Sequence, residues 1–237
     1  MTKLSVNINK VALIRNAREG NFPDLRQVAM DCQKFGADGI TVHPRPDERH
    51  IRYSDIPVLK EVVTTEFNIE GYPNEKFLEL VEKYKPHQCT LVPDPPGILT
   101  SNEGWDTKKD VAMLKEVVNK LQSKGIRVSL FLDPIEERVE EAKEIGADRI
   151  ELYTGDYAKT YLNDKEGAIE NHIKCSKLAG TLGLGLNAGH DLNLENLAYY
   201  KQNVQDLLEV SIGHALISDA LYFGLKNAIQ LYQRALS

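Results

Sequence analysis

The 237-residue chain holds three cysteines, one tryptophan and three methionines, and its acidic residues outnumber its basic ones. Cys32, Cys89 and Cys175 stand far apart and are odd in number, which excludes a disulfide framework and the paired spacing of a zinc site. Cysteine used this sparingly suits a reducing compartment, so a cytoplasmic protein is expected. No window approaches the ~20 consecutive apolar residues of a membrane helix. The opening Met1-Thr-Lys-Leu-Ser-Val lacks the apolar run of a secretory leader. With 29 Lys+Arg against 35 Asp+Glu, the net charge of −6 offers no basic surplus for a nucleic-acid backbone. Neither nucleic acid nor membrane is therefore expected as a partner, although a local basic site for a small anion is compatible. A GxGxxG fingerprint, a Walker loop and a His/Asp metal pattern are all missing as well. No cofactor and no metal is expected, and the chemistry has to come from side chains and the substrates themselves.

What the chain does have is alternation. Short apolar runs at Leu4–Ile8, Asp38–His43, Phe67–Gly71, Gln88–Val92, Arg127–Asp133, Arg149–Tyr153, Leu184–Gly189 and Leu208–Gly213 read as strands. Segments of helical period separate them: Asp24–Phe35, Ser54–Thr64, Asn74–Tyr84, Thr107–Lys124, Ile135–Ile145, Lys165–Leu182, Leu194–Lys201 and Ala215–Leu236. Gly36, Gly125 and Gly146 fall where helix stops are expected. Eight βα units of roughly 30 residues each call for a parallel sheet closed into a (β/α)8 barrel. The phrase Gly-Ala-Asp occurs at Gly36–Asp38 and Gly146–Asp148, a repeat of structural units. No linker interrupts the pattern, so residues 1–237 are read as a single α/β domain, a TIM barrel. Its one long irregular connection, Pro93–Gly104, follows the fourth strand.

Side chains alternate along a strand between the two faces of a sheet. The apolar set (Val6, Ile40, Val42, Phe67, Ile69, Ile150, Leu152, Leu186, Val210) must cover the helices. That sends Ser5, Asn7, Asn9, Thr41, His43, Asn68, Glu70, Arg149, Glu151, Tyr153, Asn187, Glu209 and Ser211 toward the barrel axis. Either a hydrogen-bonded polar core or a ligand-lined cavity fits such an interior. Six strands in the same polar phase favour the cavity, concentrated at the strands' C-terminal ends.

Three clusters lie at those ends. His43-Pro-Arg45-Pro-Asp-Glu-Arg-His50 closes strand two; its imidazoles suit proton transfer and its guanidinium groups suit phosphate, while Asp47, Glu48 and Arg49 look solvent-facing. Glu70 ends strand three, as a general acid or base or as the partner of Arg45 or Arg18. Asn187-Ala-Gly-His190 and Gly213-His214 end strands seven and eight, where this fold commonly holds phosphate. His87 reads as structural, His172 as surface or packing, and Trp105 as a loop anchor.

These residues carry a resemblance. Ser5-Val-Asn-Ile-Asn-Lys-Val-Ala-Leu-Ile-Arg-Asn-Ala-Arg18, Gly36-Ala-Asp-Gly-Ile-Thr-Val-His-Pro-Arg45, Lys85-Pro-His-Gln-Cys-Thr-Leu-Val-Pro93 and Asn187-Ala-Gly-His190 resemble the pyridoxine 5′-phosphate synthase family from end to end. That resemblance implies a (β/α)8 barrel with additional helices, assembled as a homo-octamer. It implies a transferase-class condensation of two small phosphorylated substrates, 1-deoxy-D-xylulose 5-phosphate and 3-amino-2-oxopropyl phosphate. It further implies His43, Glu70 and His190 as proton carriers, with Asn7, Arg18, Arg45, His50 and Thr100 on substrate and Gly213 and His214 at a phosphate. Asn9-Lys10 stands where many members have Asp-His, and Asp191 where many have Gly, so the substrate contacts at Asn9, Lys10 and Asp191 are this chain's departures. Two other readings compete: an imine-type aldolase using Lys10, and a non-catalytic barrel that senses a phosphorylated metabolite.

Overall fold

The computed structural model describes residues 1–94 and 103–237. Eight strands close into an all-parallel barrel in chain order. They are β1 (Lys3–Asn7), β2 (Gly39–Val42), β3 (Glu66–Gly71), β4 (Gln88–Leu91), β5 (Arg127–Leu132), β6 (Arg149–Tyr153), β7 (Gly185–Gly189) and β8 (Leu207–Ile212). Between them run α1 (Asn9–Asn16), α2 (Leu25–Lys34), α3 (Asp55–Val62), α4 (Glu75–Tyr84), α5 (Val111–Gln122) and α6 (Glu136–Ile145). The second half adds α7 (Gly155–Thr160), α8 (Lys165–Leu182), α9 (Leu197–Asn203), α10 (His214–Phe223) and α11 (Leu225–Ala235). Among the described residues no helix is long and apolar enough to cross a membrane.

The alternation expected from the sequence sorts the strands as it should. Leu4, Val6, Ile40, Val42, Phe67, Ile69, Val128, Leu130, Ile150, Leu152, Val210 and Ile212 are fully buried between sheet and helices. Each such side chain contributes roughly 1.5–3 kcal/mol by leaving water. Most of the inward set is buried too, with Asn7, Asn9 and Arg149 half-buried, and it fills the barrel with polar contacts: Ser5 Oγ with Thr41 Oγ1 at 2.7 Å, and Thr90 Oγ1 donating to Asn68 Oδ1 at 3.1 Å. Arg127 Nε donates to Gln88 Oε1 at 3.0 Å, and Arg149 Nη1 to Asn187 Oδ1 at 3.2 Å. Polar groups therefore occupy the whole depth of the barrel, where they had been expected mainly at the C-terminal ends. The lower layers are a hydrogen-bonded core, and only the upper layer faces open space.

The repeated Gly-Ala-Asp phrase has a definite local role. Gly36 and Gly146, with φ of 110° and 94°, turn the chain out of α2 and α6. Each following aspartate then extends the ladder of the preceding strand. Asp38 accepts from Leu4 N–H at 2.9 Å and Asp148 from Val128 N–H at 2.8 Å.

Three helical features depart from the sequence expectation. Helix α1 lies between the first expected strand and the first expected helix and matches neither; its eight residues are too few for a clear period, and Asn9, placed in the inward phase of strand one, opens it instead. Helix α7 is a six-residue turn hidden in the connection before α8. The last expected helix, Ala215–Leu236, is two: Gly224, with φ 77° and ψ 148°, lies outside helical space and separates α10 from α11. Trp105 is an anchor, as read. It is 2 % exposed, and its Nε1 donates to Leu91 O at 2.8 Å. Beside it, Gly104 passes so close to β5 that a Cβ would lie 2.2 Å from Asp133 N.

Candidate active site

At the C-terminal mouth of the barrel is a cavity of about 590 Å³, within the ordinary range for small-molecule sites. Strand ends and the turns after them supply its walls. Asn7, Asn9, Lys10 and Leu13 come from β1 and α1; His43, Arg45, Arg49 and His50 come from the turn after β2. Glu70 comes from β3, Tyr153 from β6, His190 and Asp191 from the end of β7, and Ser211, Gly213 and His214 from β8 and α10.

The structure thus brings together every expected site residue that it describes except Arg18. That residue lies exposed beyond the end of α1, outside the cavity lining. Thr100, in the connection after β4, lies outside the described residues. Arg49, read as solvent-facing, is half-buried and lines the cavity, held there by its pairing with Asp47.

Glu70 is 2 % exposed. Asn7 Nδ2 approaches its Oε2 at 3.4 Å, while its Oε1 has no hydrogen-bond partner among the described residues. The alternative, an ion pair of Glu70 with Arg45 or Arg18, is not formed; Arg45 pairs with Asp94 at 3.0 Å. Burial, reinforced by the charges of Asp94 and Glu209, pushes the Glu70 carboxyl up to about 8. It can accordingly hold or release a proton near neutrality.

The imidazoles shift the other way. Burial holds His43 well below the ordinary imidazole range, helped by Arg45, His50 and His190. His50, with ring centroid 6.0 Å from that of His43, is lowered to about 4 by burial, then by Arg45 and Lys10. Burial also lowers His190, against the opposing charges of Asp191 and Asp94. Asn9 Oδ1 accepts from His43 N–H at 2.9 Å, and His50 Nδ1 accepts from Ile51 N–H at 2.9 Å, so backbone contacts orient both segments.

His190 packs against the Phe131 ring at 4.6 Å between centroids and meets Tyr153 edge-on at 5.9 Å. Its Nδ1 lies 3.9 Å from Glu151 Oε1. Burial, then the charge of Glu70, raises Glu151 well above the usual carboxylate range. Burial drives both groups toward neutral forms, so the contact is not an ion pair, and 3.9 Å is too long for a hydrogen bond. The His190 backbone has φ 93°, a left-handed conformation that costs a non-glycine residue of order 1–3 kcal/mol. At Gly189 beside it a Cβ would sit 2.4 Å from Glu151 Oε1 and 3.1 Å from Ser211 O, so a larger residue would have to displace the Glu151 carboxyl.

Several contributors escaped the sequence reading. Tyr153, Ser211 and Glu151 were visible as part of the inward polar phase but not as members of a site. Phe131 and Asp94 gave no signal, the first looking like core and the second like loop. His87 and His172 are structural: His87 Nδ1 accepts from Phe67 N–H at 3.0 Å, and His172 is buried against the Tyr200 hydroxyl at 2.9 Å, not on the surface. Among the described residues no group of three His, Cys, Asp or Glu could hold a metal ion. The cavity therefore combines a carboxyl that titrates near neutrality, neutral imidazoles, and cationic groups at Lys10, Arg45 and Arg49 that suit anionic substrates.

The family described as "Pyridoxal phosphate biosynthesis protein PdxJ" matches residues 4–237. A protein of Cytophaga hutchinsonii named pyridoxine 5′-phosphate synthase is 60% identical over 236 residues, covering 100% of this chain and 99% of that one. A namesake from Flavobacterium johnsoniae is 58% identical over 236 residues, covering 100% of both. Among solved structures, phosphoribosylanthranilate isomerase of Thermotoga maritima superposes with a TM-score of 0.61 at 15% identity, over 100% of this chain and 98% of that one. D-psicose 3-epimerase of Clostridium cellulolyticum H10 gives 0.61 at 13% identity over 100% of both. These two likenesses concern the fold alone.

Proposed function

The chain belongs to the pyridoxal phosphate biosynthesis protein PdxJ family, and from that premise we propose that it catalyses the pyridoxine 5′-phosphate synthase reaction of vitamin B6 biosynthesis. In that transferase-class condensation, 1-deoxy-D-xylulose 5-phosphate and 3-amino-2-oxopropyl phosphate give pyridoxine 5′-phosphate, inorganic phosphate and water. The observation that carries the proposal is one cavity in which Glu70 titrates at about 8 beside His43 and His190, both held neutral.

The amine of one substrate attacks the ketone of the other, and loss of water leaves an imine. Proton removal and return then drive elimination of phosphate, aldol-type ring closure and a final dehydration. Each step needs a proton carrier within hydrogen-bond reach. In this reading His43, Glu70 and His190 are the carriers. Asn7, Asn9, Lys10, Arg45, His50 and Asp191 hold the substrates, with Arg18 and Thr100 as further contacts. Gly213 and His214, at the start of α10, offer a phosphate the backbone N–H groups of a helix N-terminus. Holding both reactants in one cavity replaces a bimolecular encounter with an intramolecular one.

The same reading has residues 1–237 working as one catalytic domain in a cytoplasmic homo-octamer, with no cofactor. Steady-state release of phosphate is the test. A synthase releases phosphate only when both substrates are present, whereas a barrel that merely senses a phosphorylated metabolite releases none. Borohydride trapping of a substrate on Lys10 would instead favour the imine-type aldolase.

A further inference from the structure

We propose that Thr154 is a positioning residue that fixes the backbone of His190 and so the direction in which its imidazole enters the cavity. The proposal rests on the reading of His190 as a proton carrier. At φ 93°, His190 occupies a conformation that an L residue leaves unless its surroundings hold it there. One hydroxyl does the holding from both sides. Thr154 Oγ1 donates to Gly189 O at 2.7 Å and accepts from Asp191 N–H at 3.2 Å.

The Gly189 carbonyl belongs to the peptide group before His190, and the Asp191 N–H to the peptide group after it. The two backbone rotations of His190 are thereby tied to a single oxygen atom. Two backbone bonds, Thr154 N–H to Gly189 O at 3.2 Å and His190 N–H to Ser211 O at 3.4 Å, secure the preceding peptide group alone. The hydroxyl adds the following one.

Thr154 lies between the end of β6 and the start of α7, fully buried and absent from the cavity lining. It therefore acts through His190 and not on substrate. The role requires a group that both donates and accepts: threonine and serine do, valine and alanine do not.

The test compares Thr154→Val and Thr154→Ser in the wild-type enzyme and in a His190→Ala background, with Thr154→Ala in reserve should the valine variant not fold. In the wild-type background, loss of the hydroxyl is expected to lower kcat on the order of 10-fold or more, with KM for both substrates within about twofold. Serine restores kcat. In the His190→Ala background the valine substitution causes no further loss. Equal losses in both backgrounds, or wild-type kcat in a folded valine or alanine variant, would overturn the proposal.

A readout independent of turnover separates this proposal from the synthase reading. The His190 ring, its centroid 4.6 Å from that of Phe131, has protons that carry a ring-current shift in the nuclear magnetic resonance spectrum. That shift should disappear in Thr154→Val and persist in Thr154→Ser. An unchanged shift in the valine variant contradicts the proposal even if the wild-type chain makes no pyridoxine 5′-phosphate. A His190→Ala enzyme at the wild-type rate would instead remove His190 from the mechanism.

Discussion

Arg45 Nη1 and Asp94 Oδ2 lie 3.0 Å apart with each side chain only 4 % exposed, so the turn after β2 is pinned to the turn after β4. A buried pair of this kind adds little net stability compared with apolar packing, but removing one partner leaves the other buried charge less well compensated. Asp94→Ala is therefore expected to destabilise the fold by about 3 kcal/mol, read by chemical denaturation. It should also raise KM, because Arg45 lines the cavity. A denaturation curve that overlays the wild type would show that the pair holds nothing in place.

Glu70 should dominate the pH profile. Its carboxyl is pushed up to about 8, so as a base it gains activity, and as an acid loses it, as pH rises through that value. Glu70→Gln keeps the shape, removes the titration, and should lower kcat by 10²-fold or more, within the usual range of about 10²–10⁴ for a general acid or base. Folding should be unaffected. A Gln variant that retains both its rate and an inflection near 8 would assign that inflection elsewhere.

Stability should fall on the alkaline side of neutrality. Glu70 and Glu209 hold their protons up to about 8 in the fold, against about 4.3 for an unperturbed glutamate. Between those values the native state binds more protons than the unfolded one, so the contribution of these two groups declines as pH rises and is gone above the folded value. His50, lowered to about 4, works in the opposite sense, weakening the fold as pH falls from about 6.5. From pH 6.5 to 9 the carboxyls act, joined toward the alkaline end by the buried thiols of Cys32, Cys89 and Cys175, which burial raises in the same sense. Tm should drop across that range, and Glu209→Gln should flatten the drop; an equally steep slope in that variant would contradict the assignment.

Lys10 stands in the cavity wall near His50 and His190, whose protonation its charge opposes. Replacing it should weaken substrate capture more than chemistry. Lys10→Ala is expected to raise KM more than it lowers kcat, in initial-rate measurements with each substrate varied in turn. Unchanged constants for both substrates would remove Lys10 from the binding set.

Eightfold alternation of strand-like and helical runs placed the barrel and its strands, and period-two alternation the inward polar phase, because Val6 against Asn7 or Ile69 against Glu70 is a signal local to each strand. The gathering of the strand-tip residues His43, Glu70 and His190 in one cavity was equally legible, since side chains at that end of a barrel face its open mouth. What escaped depends on contacts across the barrel. Nothing local tells that Asp94 takes Arg45 away from Glu70, that Phe131 packs on His190, or that Arg49 turns inward. Arg18 failed to join the cavity for the same reason: its position relative to the barrel mouth is set by where α1 ends, and the short α1 was not readable from period.

The most direct test is to incubate the purified chain with 1-deoxy-D-xylulose 5-phosphate and 3-amino-2-oxopropyl phosphate and follow product by mass and absorbance. The account predicts pyridoxine 5′-phosphate and an equal amount of inorganic phosphate, with both substrates required and the initial rate lowered about 10²-fold or more by Glu70→Gln. Absence of pyridoxine 5′-phosphate from the wild-type chain, or undiminished formation by the Gln variant, would contradict it.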